Sequence, residues 1–153
     1  MIASYRLLLP TVVAAFLSTT PAILQANEIY AADGVAINGY DPVAYFTERK
    51  PIKGNPEFVA SHKGSNFHFS SQGHRDAFIR SPERYTPQYG GYCAYGLARG
   101  YKATTQPQAF TIVDDKLYLN YSDEVMATWR SDTAGYIKKA DANWPGVKDD
   151  PAP

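Results

Sequence analysis

The chain has 153 residues, and its 15 lysines and arginines balance 15 aspartates and glutamates. Charges of both signs are scattered along it, so the composition gives no reason to expect nucleic-acid binding. The chain has one cysteine, Cys93, so no internal disulfide can form. A core rich in tyrosine, phenylalanine and tryptophan must therefore stabilise the fold without covalent cross-links.

The first 26 residues have the features of a secretory signal peptide. One basic residue, Arg6, precedes an apolar run over 7–17, and small residues lead to a cleavage site after Ala26. The run is shorter than the roughly 20 residues that a transmembrane helix needs. We therefore expect 1–26 to be removed, which leaves a periplasmic or secreted protein that does not contact a membrane.

The mature chain begins with an extended segment and a short helix. The composition of "GVAING" is typical of a short strand, and "PVAYFTE" is typical of a helix. Asp41 is a favourable N-cap residue, and Pro42 suits the first helical position that follows it. Together these two residues predict where the helix begins.

The clearest element is the hairpin "EFVASHKGSNFHFSS", which turns at its Lys-Gly pair. In this register Ala60 pairs with Phe67, and the next pair on the same face is Phe58 with Phe69. Alternate residues of a strand point to the same side of a sheet. We therefore expect these four apolar side chains to form one buried face.

The middle of the chain predicts three short helical segments. Ser71 is suited to cap a helix over "QGHRDAFIR", and "PERY" makes a further turn. Gly90 and Gly91 then interrupt the chain before "YCAYGLA", which predicts a helix that ends at Gly100. The paired glycines are typical of a tight turn with positive φ angles.

The last third of the chain predicts a second hairpin and two helices. "AFTIVDDKLYLNYS" turns at its two aspartates, and the Ser-Asp pair before "EVMATW" supplies a helix cap. Asp132 opens "TAGYIKKADAN", which we expect to stop before Pro145. The elements together predict a small α+β domain over 27–145, with short antiparallel hairpins and several short helices, followed by a disordered tail over 146–153.

The only cysteine lies in an unusual stretch, "YTPQYGGYCAYGLARGY". If a helix begins just after the paired glycines, Cys93 sits in its first turn, where free amides and the helix dipole favour a thiolate. The alternative is that Cys93 is only packed in the core, as free cysteines often are. We expect the first arrangement, a partly accessible thiol with a lowered pKa.

The segments "INGYDPVAYF", "FSSQGHRDAFIRSPERYTPQYGGYCAYGLARGY", "KLYLNYS" and "KKADANWP" resemble the exported branch of the YHS domain family. The resemblance covers nearly all of the mature chain. It implies an association with metals, because other YHS modules are fused to copper-transporting ATPases. The chain departs from the wider family where Ala44, Tyr45 and Phe46 replace Cys-Gly-Met and where Ser70 replaces a cysteine. Two thiolate positions of a soft-metal site are therefore missing.

In the exported branch, the position of Cys93 is sometimes taken by selenocysteine, which implies redox or soft-metal chemistry there. Because cysteine and methionine suit Cu(I), the resemblance favours copper or another transition metal. The expected metal ligands are Cys93, His74, His62 and Met126. His74 is the best partner for Cys93, because His62 and His68 point to opposite sides of the first hairpin. For each histidine alone, an ordinary hydrogen-bonded side chain is the alternative.

Three functions remain open at this stage. The first is a non-enzymatic transition-metal binding protein that uses Cys93. The second is a thiol-based redox protein in which Cys93 forms a sulfenic acid or a mixed disulfide with a partner protein. The third is a protein-interaction module without chemistry. No Gly-x-Ser-x-Gly elbow and no acid/base dyad is present, which favours a protein that is not an enzyme.

Overall fold

Residues 28–153 are described by the computed structural model, so the expected signal peptide and its cleavage site lie outside the described residues. The strands are β1 (Ala31–Ala32), β2 (Val35–Ala36), β3 (Asn55–His62), β4 (Ser65–Phe69), β5 (Phe110–Val113) and β6 (Lys116–Leu119). The α-helices are α1 (Ala44–Thr47), α2 (Gln72–Arg80), α3 (Pro82–Tyr85), α4 (Ala94–Ala98), α5 (Asp123–Arg130) and α6 (Thr133–Val147). This mixture confirms the predicted α+β class.

The strands form two small sheets in the described part of the chain. The larger sheet has the order β1-β2-β4-β3, in which β2 runs parallel to β4 and the other neighbours are antiparallel. The smaller sheet is the β5–β6 hairpin. Its turn residues Asp114 and Asp115 have φ angles of 50° and 59°, the left-handed conformation that a two-residue hairpin turn requires. The second hairpin is therefore confirmed.

The first hairpin has the predicted register near its turn but not at its far end. Ala60 lies opposite Phe67 as expected, whereas Phe69 lies opposite Asn55 instead of Phe58. The register shifts because β3 contains Pro56, which has no N–H to donate to the ladder. The predicted Phe58–Phe69 pair is therefore wrong, although Phe58 still packs against the core.

The buried apolar side chains form two clusters that meet at β6. Leu117 and Leu119 belong to the first cluster, which fills the space between the larger sheet and α2. Tyr118 points the other way, as the alternation of a strand requires, and joins the second cluster around α4, α5 and α6. The fully buried aromatic side chains of these clusters are Tyr45, Phe67, Phe69, Phe78, Tyr92 and Trp129.

The last helix is longer than the sequence predicts. It continues through Pro145 to Val147, although a proline inside a helix removes one backbone hydrogen bond. Trp144 and Val147 pack against the second cluster, and this burial offsets the cost of the proline. Among the helices of residues 28–153, none combines the length and the apolar character needed to cross a bilayer.

The start of the expected tail is held against the domain. Lys102 is buried, and its Nζ donates 2.7 Å hydrogen bonds to the carbonyl oxygens of Lys148 and Asp150. Its ammonium group also lies 4.8 Å from the centre of the Tyr92 ring, a cation–π distance. The last helix thus extends into the segment 146–153, and Lys102 contacts the residues that follow the helix.

Candidate functional site

Asp41 is a fully buried carboxylate at the start of α1. Its Oδ1 accepts hydrogen bonds from the backbone amides of Val43, at 2.9 Å, and Ala44, at 3.2 Å. These amides belong to the first turn of the helical segment, so Asp41 caps it as the sequence predicts. The regular helix begins at Ala44, two residues later than the predicted start at Pro42.

The second oxygen of Asp41 connects two further elements. Oδ2 accepts from the backbone amide of Ser70 at 2.8 Å, from the Ser70 hydroxyl at 2.6 Å, and from Nδ1 of His74 at 2.6 Å. Ser70 follows β4, and His74 lies in the first turn of α2, where the Ser71 side chain caps the helix. One buried carboxylate therefore joins α1, the end of β4 and α2.

These contacts fix the imidazole of His74. Because the carboxylate of Asp41 can only accept, Nδ1 of His74 donates to it, and Nε2 is the ring nitrogen that faces away from Asp41. Nε2 lies 3.6 Å from Oε1 of Glu48 at the end of α1. The side chain of His74 is 20% exposed and that of Glu48 37% exposed. Nε2 of His74 and the carboxylate of Glu48 therefore lie side by side near the surface.

Cys93 lies at the N-cap position of α4, directly after a tight turn. Gly90 and Gly91 have φ angles of 64° and 90°, which confirms the predicted left-handed turn. A β-carbon at Gly90 would overlap the carbonyl group of Glu28, so only glycine fits there. The turn places Cys93 at the helix start as expected.

The expectation of a partly accessible, acidic Cys93 is wrong. Cys93 is only 1% exposed, and burial raises the pKa of its thiol above the ordinary value. The amides of Gly96, Tyr121 and Tyr95 lower that pKa but do not overcome the burial. The sulfur lies 3.6 Å from Oδ1 of Asn120, an acceptor that favours the protonated thiol.

Cys93 nevertheless contributes to the wall of a surface groove. The groove has a volume of about 290 Å³ and is also lined by Tyr95, Tyr101, Ala103, Tyr121 and Val125. The tyrosines Tyr101 and Tyr121 are about half exposed. The groove therefore leads from an aromatic rim toward a buried sulfur.

The residues expected to bind one metal ion do not come together. His62 faces the core beside Phe67 and Phe78, and its Nε2 lies 3.3 Å from Oε1 of Glu83 without the alignment of a hydrogen bond. His68 faces the opposite side of the sheet, as predicted, and lines a groove there. Within residues 28–153, no group of three or more histidine, cysteine, aspartate or glutamate side chains could hold a metal ion. His62, His74 and Cys93 therefore do not form a joint site, and Met126 is half-buried in α5.

Sequence reasoning missed two partners of the candidate residues. Asp41 was expected only as a helix cap, and its contact with His74 spans 33 positions along the chain. Asn120, which contacts Cys93, follows β6 and carries no signal in the sequence. Comparison of the chain with protein-family models, with curated proteins and with solved structures finds no match. The resemblance to the YHS family therefore rests on its motifs and stays a prediction.

Proposed function

We propose that this protein is a non-enzymatic, exported binding protein for a divalent transition metal ion, with Nε2 of His74 as the principal ligand. The observation that carries the proposal is the 2.6 Å contact between Nδ1 of His74 and the buried carboxylate of Asp41. Histidines that bind metals in proteins commonly donate their other ring N–H to a carboxylate. The same pairing in this chain leaves Nε2 directed at the partly exposed Glu48.

The two available donor atoms favour a particular class of ion. Nε2 of His74 and Oε1 of Glu48 are 3.6 Å apart, and both side chains are partly exposed, so solvent can complete the coordination. Imidazole and carboxylate ligands suit Cu(II), Zn(II) and Ni(II), of which copper binds most tightly to a given set of donors. Copper thus remains the favoured metal, but as Cu(II) at an imidazole and not as Cu(I) at a thiolate.

Cys93 is a poor ligand by comparison. A thiol must lose its proton to bind a metal, and burial opposes that loss by raising the pKa of Cys93. The sulfur also already contacts Asn120. We therefore assign the ion to His74 and not to the set centred on Cys93 that the sequence suggests.

The same contacts argue against hydrolytic catalysis. The Ser70 hydroxyl donates to the oxygen of Asp41 that also accepts from His74. A serine nucleophile needs a ring nitrogen that can take its proton, but Nδ1 of His74 already carries one. The Ser70 hydroxyl also lies 3.3 Å from Nδ1 of His74, but both groups donate to the same oxygen of Asp41, so they are not arranged as a nucleophile–base pair.

Calorimetric titration with Cu²⁺ and Zn²⁺ tests the proposal. His74→Gln is expected to weaken binding at least tenfold, because loss of a ligand costs at least as much as loss of a group that only orients a ligand. Glu48→Gln should weaken binding less, because the glutamine amide oxygen can still donate an electron pair to the ion. His62→Gln and Cys93→Ser are matched controls that should bind like the wild type. Loss of binding in Cys93→Ser, with His74→Gln unaffected, would overturn the assignment.

A further inference from the structure

The groove that His68 lines contains a second group of polar side chains, apart from the metal site. It has a volume of about 540 Å³, and Lys53 and Asp33 are also among its lining residues. The apolar part of its wall includes Ala32, Val35 and Pro56. Pockets that bind small molecules commonly combine apolar walls with a few polar groups, and this groove has both.

Lys53 and His68 converge on a space beside Gly39, which also lines the groove. A β-carbon at Gly39 would lie 3.4 Å from Nζ of Lys53 and 3.6 Å from Nδ1 of His68. Its next neighbour would be the side chain of Val35, at 3.5 Å. Because glycine has no β-carbon, this space between the two nitrogen atoms stays open, and a single carboxylate group placed there can contact both.

The fold holds both nitrogen atoms in place. Nζ of Lys53 donates to the carbonyl oxygen of Asn38 and lies 4.9 Å from the centre of the Tyr40 ring. An ammonium group has more than one N–H donor, so Lys53 can also bind a further acceptor. Gly54 packs so closely against His68 that a β-carbon there would lie 2.5 Å from the carbonyl carbon of His68. Donors that are already positioned lose little freedom when a ligand binds.

The imidazole of His68 is not used by the fold. The residue is half-buried, and its ring has no hydrogen-bond or ion-pair partner within residues 28–153. The other two histidines differ, since His62 lies beside Glu83 and His74 contacts Asp41. Nδ1 of an imidazole donates in one neutral tautomer and in the protonated form. His68 therefore has a donor available for a ligand in the groove.

We propose that this groove binds a small aliphatic monocarboxylate, with Lys53 and His68 as the donors to its carboxylate group. Hydrogen bonds in which the donor or the acceptor is charged are stronger than neutral ones, and here both partners carry charge at Lys53. The apolar wall contacts the hydrocarbon chain of the ligand. Asp33 repels a second negative charge in the same groove, so a monocarboxylate binds better than a dicarboxylate.

NMR titration of the metal-free protein with butyrate tests this proposal separately from metal binding. The ring nitrogen resonances of His68 and the amide resonance of Gly39 should shift and reach saturation, while the ring resonances of His62 and His74 stay unchanged. 1-Butanol has the same hydrocarbon chain without the charge, and succinate has a second carboxylate. Both should bind more weakly than butyrate.

Two glycines give a matched pair of variants. Gly34 and Gly39 have φ angles of 78° and 73°, so alanine at either position strains the backbone to a similar extent. Only alanine at Gly39 fills the space between the two nitrogen atoms, because a β-carbon at Gly34 would have no neighbour within 4 Å. Gly39→Ala should therefore abolish butyrate binding, and Gly34→Ala should bind like the wild type.

A second pair of variants serves if Gly39→Ala does not fold. Lys53→Gln at this exposed lysine should weaken butyrate binding about tenfold, because it removes the charged donor. Lys116→Gln, at an exposed lysine of the other sheet, is the control and should bind like the wild type. The proposal is overturned if the wild type shows no saturable response to butyrate, if 1-butanol binds as tightly, or if folded Lys53→Gln binds butyrate like the wild type.

Discussion

Asp41 and Asn120 are both fully buried polar side chains, but only Asp41 has hydrogen-bond partners for all of its polar atoms. Asp41 accepts hydrogen bonds from five donors, on Val43, Ala44, Ser70 twice and His74. Asn120 uses its oxygen and leaves its Nδ2 without a partner among the described residues. A buried polar group with all of its hydrogen bonds formed fixes the structure and orients its neighbours. A group with an unpartnered donor can still form one more hydrogen bond.

The two regions also differ in how they meet solvent. His74 receives its orientation from the buried Asp41 and presents the ring near the surface, where its side chain is 20% exposed. Cys93 lies deeper, at 1% exposure, behind a rim of tyrosines. Reversible binding of an ion therefore suits the arrangement at His74 better than the one at Cys93.

Replacement of Asp41, whose hydrogen bonds are all formed, should have the largest effect on the free energy of unfolding. Asp41→Ala leaves several buried donors without an acceptor, so we expect a loss of about 3 to 5 kcal/mol in the free energy of unfolding. Urea denaturation measures it. Asp76→Ala, at a partly exposed aspartate paired with the adjacent Arg75, is the control and should change stability by less than about 0.5 kcal/mol. Similar midpoints for the two variants would contradict the role given to Asp41.

Replacement of Asn120, whose Nδ2 has no partner among the described residues, should lower the free energy of unfolding less. Asn120→Ala removes an acceptor from the amide of Tyr95, but it also removes the unpartnered Nδ2. We therefore expect a loss of about 1 to 3 kcal/mol in the free energy of unfolding, again from urea denaturation. A loss as large as that of Asp41→Ala would mean that Nδ2 has a partner in solution.

A matched pair of helix caps separates stability from metal binding. Ser71 caps α2 through the amide of His74, and Ser122 caps α5 through the amide of Val125. Alanine at either position should cost about 1 kcal/mol in denaturation experiments. Only Ser71→Ala should also weaken the binding of Zn²⁺, because only that cap holds the turn that contains His74. Equal affinities in the two variants would argue against this coupling.

The smallest expected effect is on the pH dependence of stability. Burial raises the pKa of Cys93 in the folded state, whereas the thiol of the unfolded chain has a pKa of about 8.5. Above that pH the unfolded state binds fewer protons than the folded state, so stability falls as pH rises. Cys93→Ala should show a shallower fall in denaturation midpoints between pH 8 and the onset of tyrosine ionisation. Identical slopes would mean that Cys93 titrates normally in the folded protein.

Local chemistry made much of the fold predictable. The two hairpin turns, the caps at Ser71 and Asp132 and the glycine turn before Cys93 each depend on neighbouring residues, and the structure confirms them. The predictions were wrong where contacts between residues far apart in the sequence determine the structure. Helix α6 passes Pro145 because Trp144 packs against the second cluster.

The candidate site was harder to predict for the same reason. The cap at Asp41 follows from its position before Pro42, but its contact with His74 depends on how α2 is placed on the sheet. The pKa of Cys93 depends on burial, which raises it, and on neighbouring backbone amides, which lower it. The sequence position of Cys93 predicts the amides but not the burial. Sequence alone therefore identified both residues without the partners that decide their chemistry.

Nitrogen-detected NMR of the histidine side chains tests the central claim most directly. We predict that His74 is in the tautomer with hydrogen on Nδ1 and that Zn²⁺ shifts the resonance of its Nε2, while the resonances of His62 and His68 stay unchanged. Asp41→Asn should lose the fixed tautomer and weaken the Zn²⁺-induced shift, since groups that orient a ligand typically contribute about 10- to 100-fold to metal affinity. Hydrogen on Nε2 of His74 in the metal-free protein, or a Zn²⁺ response at the other histidines only, would contradict the account.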